Sequence, residues 1–258
     1  MLSTQYSYTT AELMVAAGAR ALADGQIVVV GLGIPLVAAG LAQRTHAPRL
    51  RMLNEIGVAD FSPVELGVGN SDPRMWYHGA GFSGHVDVMG TILQRGLVDV
   101  GFLGALEVDV YGNINSTEVP ARDGGLRRFG GSGGAGDMAS LAKETIIIVR
   151  HERHKLVERV RHITSPGFLD GPGARQRAGL RGGGPARVIT DKAVFGFDPA
   201  TCLIRLLSVH PGVTPEDLRA NTGFALDVPP DVPTTPPPTP DDLDVIHRID
   251  PGGRFTKQ

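Results

Sequence analysis

Apolar positions alternate between helical and strand-like spacing along the first part of the chain. Thr9 and Glu12 form a capping box, after which apolar residues recur at helical spacing up to Asp24-Gly25. Residues 26–30 form a β-branched run, and Pro35 is suited to open the next helix. A helical pattern at 86–94 lies among further strand-like runs at 50–54, 98–103 and 145–149. This alternation predicts an α/β fold with a mostly parallel, open sheet and helices on both faces.

The spacing changes after about residue 185, where hairpin-length connections separate three short apolar runs. The runs lie at 187–190, 193–197 and 203–209. They predict a small antiparallel meander near the C terminus. Thr214, which precedes a proline and two acidic residues, marks the start of a short helix.

Proline dominates the segment that follows. Seven of the twelve residues from Pro229 to Pro240 are proline, so 229–240 is predicted to be a stiff extended segment. A last helix is predicted at 241–249. A chain of this length can be a single α/β domain, so residues 1–258 are predicted to form one domain.

The charge balance favours a small-molecule function. The 258 residues carry a formal net charge of −2, and no run of basic residues exceeds the pair Arg127-Arg128. Neither a nucleic acid nor a membrane surface is therefore expected as a partner. Residues 1–10 lack the features of a signal peptide, and no apolar stretch approaches the roughly 20 residues that cross a bilayer. The sequence predicts a cytoplasmic protein.

Cysteine and histidine show no catalytic or metal-binding pattern. Cys202, the only cysteine, lies among apolar residues and is predicted to be a small buried side chain rather than a nucleophile. The eight histidines lack the paired spacing of metal ligands, so no metal is predicted. His151 and His154 flank charged residues and are predicted to lie on a solvated face.

Glu55 is the leading candidate for chemistry. It follows a predicted buried strand and precedes Gly57, which allows a sharp backbone turn. Ligands of open α/β sheets bind beyond the carboxyl ends of the strands. Its position alone favours a non-catalytic glutamate that is solvated at the strand end or caps a nearby helix.

Two glycine clusters offer backbone N–H groups. Gly31-Leu32-Gly33 lies between a predicted strand and helix, where an anion or a developing oxyanion could be held. A purely structural turn is the alternative, because the full dinucleotide-binding spacing is missing. The second cluster, 130–136, contains Gly133 and Gly134 and precedes a helical segment. It would let a ligand approach the backbone closely, or it could be a flexible link.

Taken in order, these features resemble the β subunit of class I coenzyme A transferases, in particular of the glutaconate type, over nearly the whole chain. Glu55 and Gly57 at the strand end are part of the set. The other motifs in the resemblance lie at 30–36, 60–65, 110–117, 131–135 and 164–173.

The resemblance implies a function. It makes Glu55 the nucleophile of a ping-pong reaction in which a mixed anhydride leads to a glutamyl-CoA thioester. It assigns Gly133 and Gly134 to oxyanion stabilisation, and Gly31 and Gly33 to the same pocket or to CoA. The acyl-CoA and a carboxylic acid are substrates, and no separate cofactor is expected. No second copy of the fold is present, so an α-type subunit is the expected partner.

One departure from the family pattern concerns the nucleophile's neighbour. Many members have Ser-Glu-Asn-Gly, whereas this chain has Asn54-Glu55-Ile56-Gly57, so a more apolar pocket is expected. Two other functions remain open at this point. One is an acyl-CoA decarboxylase or hydrolase subunit of the same fold, and the other is a non-catalytic acyl-CoA-binding module.

Overall fold

The fold is described from a computed structural model that covers residues 7–62, 66–67, 69, 71–121 and 124–257. Residues 63–65 of the motif at 60–65 lie outside the described residues. The α-helices within these ranges are α1 Thr10–Arg20, α2 Ile34–Arg44, α3 His85–Asp87, α4 Ala135–Leu141, α5 Ala174–Arg177, α6 Pro215–Ala220 and α7 Pro240–Ile249.

The strands are short, and most belong to one sheet. They are β1 Ile27–Val29, β2 Arg51–Leu53, β3 Val58–Ala59, β4 Gly81–Phe82, β5 Val100–Gly104, β6 Glu107–Asp109, β7 Ile114–Asn115, β8 Glu118–Pro120, β9 Leu126–Arg128, β10 Glu144–Ile148, β11 Leu156–Val157, β12 Pro185–Ile189, β13 Ala193–Phe197 and β14 Ile204–Val209.

Among the described residues, nine strands form the main sheet in the order β14-β13-β12-β10-β5-β1-β2-β3-β4. The central strands, from β12 to β2, pair in parallel, whereas β13, β14, β3 and β4 pair antiparallel at the two edges. The predicted α/β fold with a mostly parallel sheet is confirmed. The predicted meander is also present as β12, β13 and β14, and it extends the main sheet because β12 pairs with β10.

Helices cover both faces of this sheet. Successive strand residues point to opposite faces, so Val28 belongs to one apolar cluster and Val29 to the other. The first cluster buries the apolar sides of α1, α2 and α7. The second buries Met138 and Ala139 of α4. The core therefore packs against both faces of the central strands. The ends of these strands remain as the place for a functional site.

Local sequence signals set the starts of the first two helices. Thr9 accepts a hydrogen bond from the Glu12 N–H, and the Glu12 carboxylate accepts one from the Thr9 N–H, which confirms the capping box. Pro35 lies in the first turn of α2, as predicted. None of the helices in the described ranges combines the length and apolarity that a bilayer crossing requires.

The predicted helix at 86–94 has an unexpected form. The chain makes the short α3 and then a π-helix, Val88–Leu93, in which Val88, Met89 and Leu93 are buried. In so short a segment, the spacing of the apolar residues does not distinguish a π-helix from an α-helix.

The prediction of a solvated His151 is wrong, whereas His154 is exposed as predicted. His151 is only 1% exposed, and its ring nitrogens bond the hydroxyls of Thr190 and Thr222. Because the Thr222 hydroxyl donates to a backbone carbonyl, it accepts from Nε2–H of His151. Burial lowers the pKa of His151 from 6.5 to about 4, so the ring is neutral at pH 7.

This lowered pKa predicts acid sensitivity of the fold. The unfolded chain binds a proton at His151 below pH 6.5, but the folded chain does not until about pH 4, so stability is lost as pH falls through that window. We expect His151 to make the free energy of unfolding about 2 kcal/mol lower at pH 5 than at pH 7. Denaturant unfolding at both pH values measures the difference.

The matched comparison is His151→Leu against His154→Leu. The first variant should be less stable at pH 7 but should lose about 2 kcal/mol less between pH 7 and pH 5. The second should keep the wild-type difference. An unchanged pH dependence in His151→Leu would show that this imidazole is not the titrating group.

Candidate active site

The candidate site lies at the carboxyl ends of β1, β2 and β5. Glu55 is in the turn that follows β2, and its side chain is half-buried. Strand β2 is parallel to β1, and β1 to β5, so their carboxyl ends meet at one edge of the sheet. Glu55 therefore lies at the edge where open α/β sheets bind ligands.

A tight turn holds the Glu55 backbone. The fully buried Asn54 accepts a hydrogen bond from the Ile56 N–H through Oδ1, at 3.1 Å. The Asn54 N–H donates to the Val58 carbonyl at 2.9 Å, and the Gly57 N–H donates to the Asn54 carbonyl at 3.0 Å. These hydrogen bonds close the turn and fix the backbone from which the Glu55 side chain extends.

The segment before α3 packs closely on this turn. Gly57 has φ of +114°, and a Cβ there would lie 2.0 Å from the Ser83 carbonyl oxygen. Only glycine fits this conformation and this approach. His85 also contacts the turn, since its Nδ1 lies 2.8 Å from the Glu55 carbonyl oxygen. A carbonyl can only accept, so Nδ1 carries the proton.

The glycine loop before α4 forms the opposite wall. A Cβ on Gly134 would lie 2.6 Å from Oε2 of Glu55 and 2.9 Å from Cε of Met89. A side chain at this position would therefore displace the carboxylate. Gly133 has φ of +49°, which residues with a side chain rarely adopt. Among the described residues, the N–H groups of Gly133 and Gly134 donate to no protein acceptor.

Glu55 and the glycine loop border a pocket of about 190 Å³. Its apolar walls include Val29 from β1, Phe102 from β5 and Met138 from α4. Glu55 itself is half-buried, so in this chain alone its carboxylate is only partly shielded from water.

Three of the four glycines singled out in the sequence line this pocket. They are Gly31, Gly133 and Gly134. Gly33 is not among the described residues that line it, and instead forms the N-cap of α2 with φ of +99°. The structure therefore brings Gly31 and the distant glycine loop to Glu55, and gives Gly33 a place at the helix start.

The expectation that Ile56 makes the pocket more apolar is wrong. Ile56 is half-buried and packs against the apolar cluster that contains α1, α2 and α7. It is not among the described residues that line the pocket. Adjacent residues of a tight turn point in different directions, so the isoleucine beside Glu55 packs against the core instead.

The prediction of a buried Cys202 is also wrong. Cys202 lies in the turn before β14 with φ of +60°, and its side chain is only half-buried. The burial it has raises the pKa of the Cys202 thiol, and the Asp198 carboxylate raises it further. A thiol with a raised pKa is a poor nucleophile, which agrees with the prediction that Cys202 does not carry the chemistry.

The Asn-rich turn at 110–117 has a structural role. Buried Asn113 donates to Asp109 and to the Leu169 carbonyl, and it accepts from the N–H groups of Gly167 and Leu169. This ties the turn after β6 to the loop at 164–173. Ser116 of the same motif donates to the Gly131 carbonyl at 3.0 Å, so the motif also holds the glycine loop before α4.

Sequence reasoning missed the side chains that surround the carboxylate. Met89 and Met138 contact the position of Gly134, and His85 contacts the Glu55 backbone. These residues come from segments 30 or more positions away from Glu55. No local pattern marks them, because only the fold brings these segments together.

Comparison with known proteins identifies the family. The profile of the family described as Coenzyme A transferase matches residues 11–221. The B subunit of glutaconate CoA-transferase from Acidaminococcus fermentans is 37% identical over 255 residues, which are 96% of this chain and 95% of that protein. The crystal structure of that enzyme has a chain that superposes with a TM-score of 0.90 at 35% identity, covering 99% of both chains.

Two further relatives show the range of the family. The B subunit of 3-oxoadipate CoA-transferase from Pseudomonas knackmussii is 34% identical over 244 residues, covering 95% of this chain and 94% of that one. A crystal structure of the decarboxylase AibA/AibB has a TM-score of 0.81 at 27% identity, covering 96% of this chain and 98% of that one. The chain therefore belongs to the coenzyme A transferase family, as a B-type subunit of a heteromeric CoA-transferase.

Proposed function

We propose that this chain carries the nucleophile of its enzyme and moves CoA from an acyl-CoA to a carboxylic acid through a glutamyl-CoA thioester on Glu55. One observation carries the proposal: the Glu55 carboxylate lies against the Cα of Gly134, inside a pocket at the carboxyl edge of the sheet. The similarity to the B subunits of two CoA-transferases supports the reaction class.

The proposed transfer of CoA needs neither water nor a cofactor. A Glu55 oxygen attacks the thioester carbonyl, the C–S bond breaks, and CoA thiolate leaves an acyl-glutamyl anhydride. The thiolate then attacks the glutamyl carbonyl and releases the first carboxylate, which leaves CoA on Glu55. The second acid reverses these steps by attacking the thioester, forming a new anhydride and returning CoA to the new acyl group.

The glycine loop is suited to stabilise the oxyanions of these steps. Each addition places negative charge on a carbonyl oxygen, and the N–H groups of Gly133 and Gly134 are available next to the carboxylate. One such donor typically lowers the barrier by about 3–4 kcal/mol. Because Gly134 has no side chain, the backbone can approach the reacting atoms.

An α-type subunit completes the enzyme in this proposal. Glu55 is only half-buried, whereas a glutamyl thioester must be protected from hydrolysis. The segment that packs on the Glu55 turn also exposes large apolar side chains, which suits a surface that another chain covers. These are Trp76 at 42% exposed, Tyr77 at 57%, Phe82 at 64% and Val86 at 75%.

The first prediction from this proposal is dependence on the partner. The purified chain should not transfer CoA. Without the α-type subunit, Glu55 is open to water, and the part of the active-site surface that this subunit contributes is missing. Once mixed with its α-type subunit and given glutaryl-CoA and acetate, it should form acetyl-CoA and glutarate, measured by chromatography. Full transfer by this chain alone would contradict the heteromer. Release of carbon dioxide or of free CoA as the main product would instead favour the decarboxylase or hydrolase alternative.

The second prediction concerns the carboxylate. Glu55→Gln removes the nucleophile and keeps the size of the side chain, so transfer by the assembled enzyme should fall at least a thousandfold, about 4 kcal/mol of transition-state stabilisation. Steady-state CoA exchange measures the loss. Glu144→Gln, at the opposite ends of the strands, is the control and should keep wild-type activity. If Glu55→Gln assembles, binds acyl-CoA and still transfers CoA at more than a hundredth of the wild-type rate, Glu55 is not the nucleophile.

A further inference from the structure

A second and larger cavity adjoins the pocket of Glu55. Its volume is about 690 Å³, within the range of roughly 300–1,000 Å³ that small-molecule sites occupy. Gly104, at the carboxyl end of β5, lines both cavities. The larger one continues along the same edge of the sheet, past the ends of β10 and β12.

The lining of this cavity is rich in cations. Arg150, Lys155 and Lys192 line it, together with one carboxylate, Asp191. The two lysines already have partners, since Lys155 bonds Glu152 at 3.1 Å and Lys192 bonds Asp217 at 2.6 Å.

Arg150 differs from the lysines because its charge is not balanced. Within the described part of the chain, no Asp or Glu oxygen lies within 4.0 Å of its guanidinium, and the side chain makes no hydrogen bond. Asp191, the carboxylate of this lining, has no oxygen within 4.0 Å of that guanidinium, and its Oδ1 accepts the N–H of His151. Arg150 is thus the cation in the cavity with its donors available for a ligand.

The backbone around Arg150 is held in place. The Val149 N–H donates to the Ile189 carbonyl at 3.2 Å, and the Glu152 N–H donates to the Arg150 carbonyl at 3.0 Å. On the other side, the buried ring of His151 is fixed by two threonines. Because this backbone is fixed, the Arg150 side chain loses less conformational freedom when it binds a carboxylate. Its guanidinium can bind the carboxylate through two parallel hydrogen bonds.

The sheet sets the distance between Arg150 and Glu55. Strand β10 is three positions from β2 in the sheet, and neighbouring strands are about 4.8 Å apart. The two backbones are therefore roughly 14 Å apart at the same edge. The two side chains, together with an acyl chain of a few carbons, can cover that span.

We propose that Arg150 binds an anionic end group of the substrate, and that this group is the second carboxylate of a dicarboxylic acid or of its CoA thioester. This assignment rests on the proposed function, because it takes the reacting carbonyl to be at Glu55. It adds a specificity-determining residue outside the pocket of the nucleophile. The CoA phosphates are the other source of an anion, but they lie beyond the long pantetheine arm, which the span from Glu55 to Arg150 does not accommodate in extended form.

The test uses the assembled enzyme, acetyl-CoA as donor, and two acceptors of equal length, glutarate and valerate. Wild type should prefer glutarate. Arg150→Met should lower kcat/KM for glutarate by about a hundredfold, because a charged hydrogen-bond pair is lost, and should leave valerate within about threefold. Arg150→Lys should retain part of the preference, since it keeps the charge but not the paired donors.

Two comparisons keep the outcome interpretable. Arg187→Met removes an exposed arginine of β12 outside this cavity and should change neither acceptor. Acetyl-dephospho-CoA as donor tests the 3′-phosphate of CoA, whereas binding of the CoA diphosphate by Arg150 would appear as an equal loss with both acceptors. Equal loss with glutarate and valerate, no loss at all, or a loss that disappears with the dephospho donor would each overturn the assignment to a second carboxylate. A wild-type enzyme that transfers CoA to neither acid would instead contradict the proposed function itself.

Discussion

The absence of a side chain at residue 134 is the constraint on which the site depends. The Glu55 carboxylate and the glycine loop line the same pocket, and Oε2 occupies space that any Cβ on Gly134 would need. An alanine there would separate the carboxylate from the backbone N–H groups of the glycine loop, to which the proposed mechanism assigns oxyanion stabilisation. The parallel strands place both parts at one edge, and the two apolar clusters on either face prevent them from moving apart.

Sequence alone predicted the features whose causes are local. The capping box joins Thr9 to Glu12, three residues away, and Pro35 fixes the start of α2 through its own backbone. The strand end at Glu55 follows from a short apolar run and Gly57. Each of these signals lies within one element. Such an element can therefore be predicted from its own residues, without knowledge of the rest of the fold.

The features that escaped prediction depend on contacts between distant segments. His151 looks like part of a charged surface stretch, but its partners Thr190 and Thr222 lie 39 and 71 residues further along the chain. Ile56 was assigned to the pocket because it neighbours Glu55, whereas the turn directs it into the core. The same applies to Arg150, whose position across the sheet from Glu55 depends on strand order and not on sequence spacing.

Trapping the covalent intermediate tests the central claim most directly. The assembled enzyme is incubated with an acyl-CoA donor and no acceptor, treated with borohydride, digested, and analysed by peptide mass spectrometry. We expect reduction of a thioester to an alcohol at Glu55, in the peptide that carries Asn54 to Gly57, and no such change in Glu55→Gln. A reduced residue elsewhere, or transfer without any reducible intermediate, would contradict the proposed mechanism.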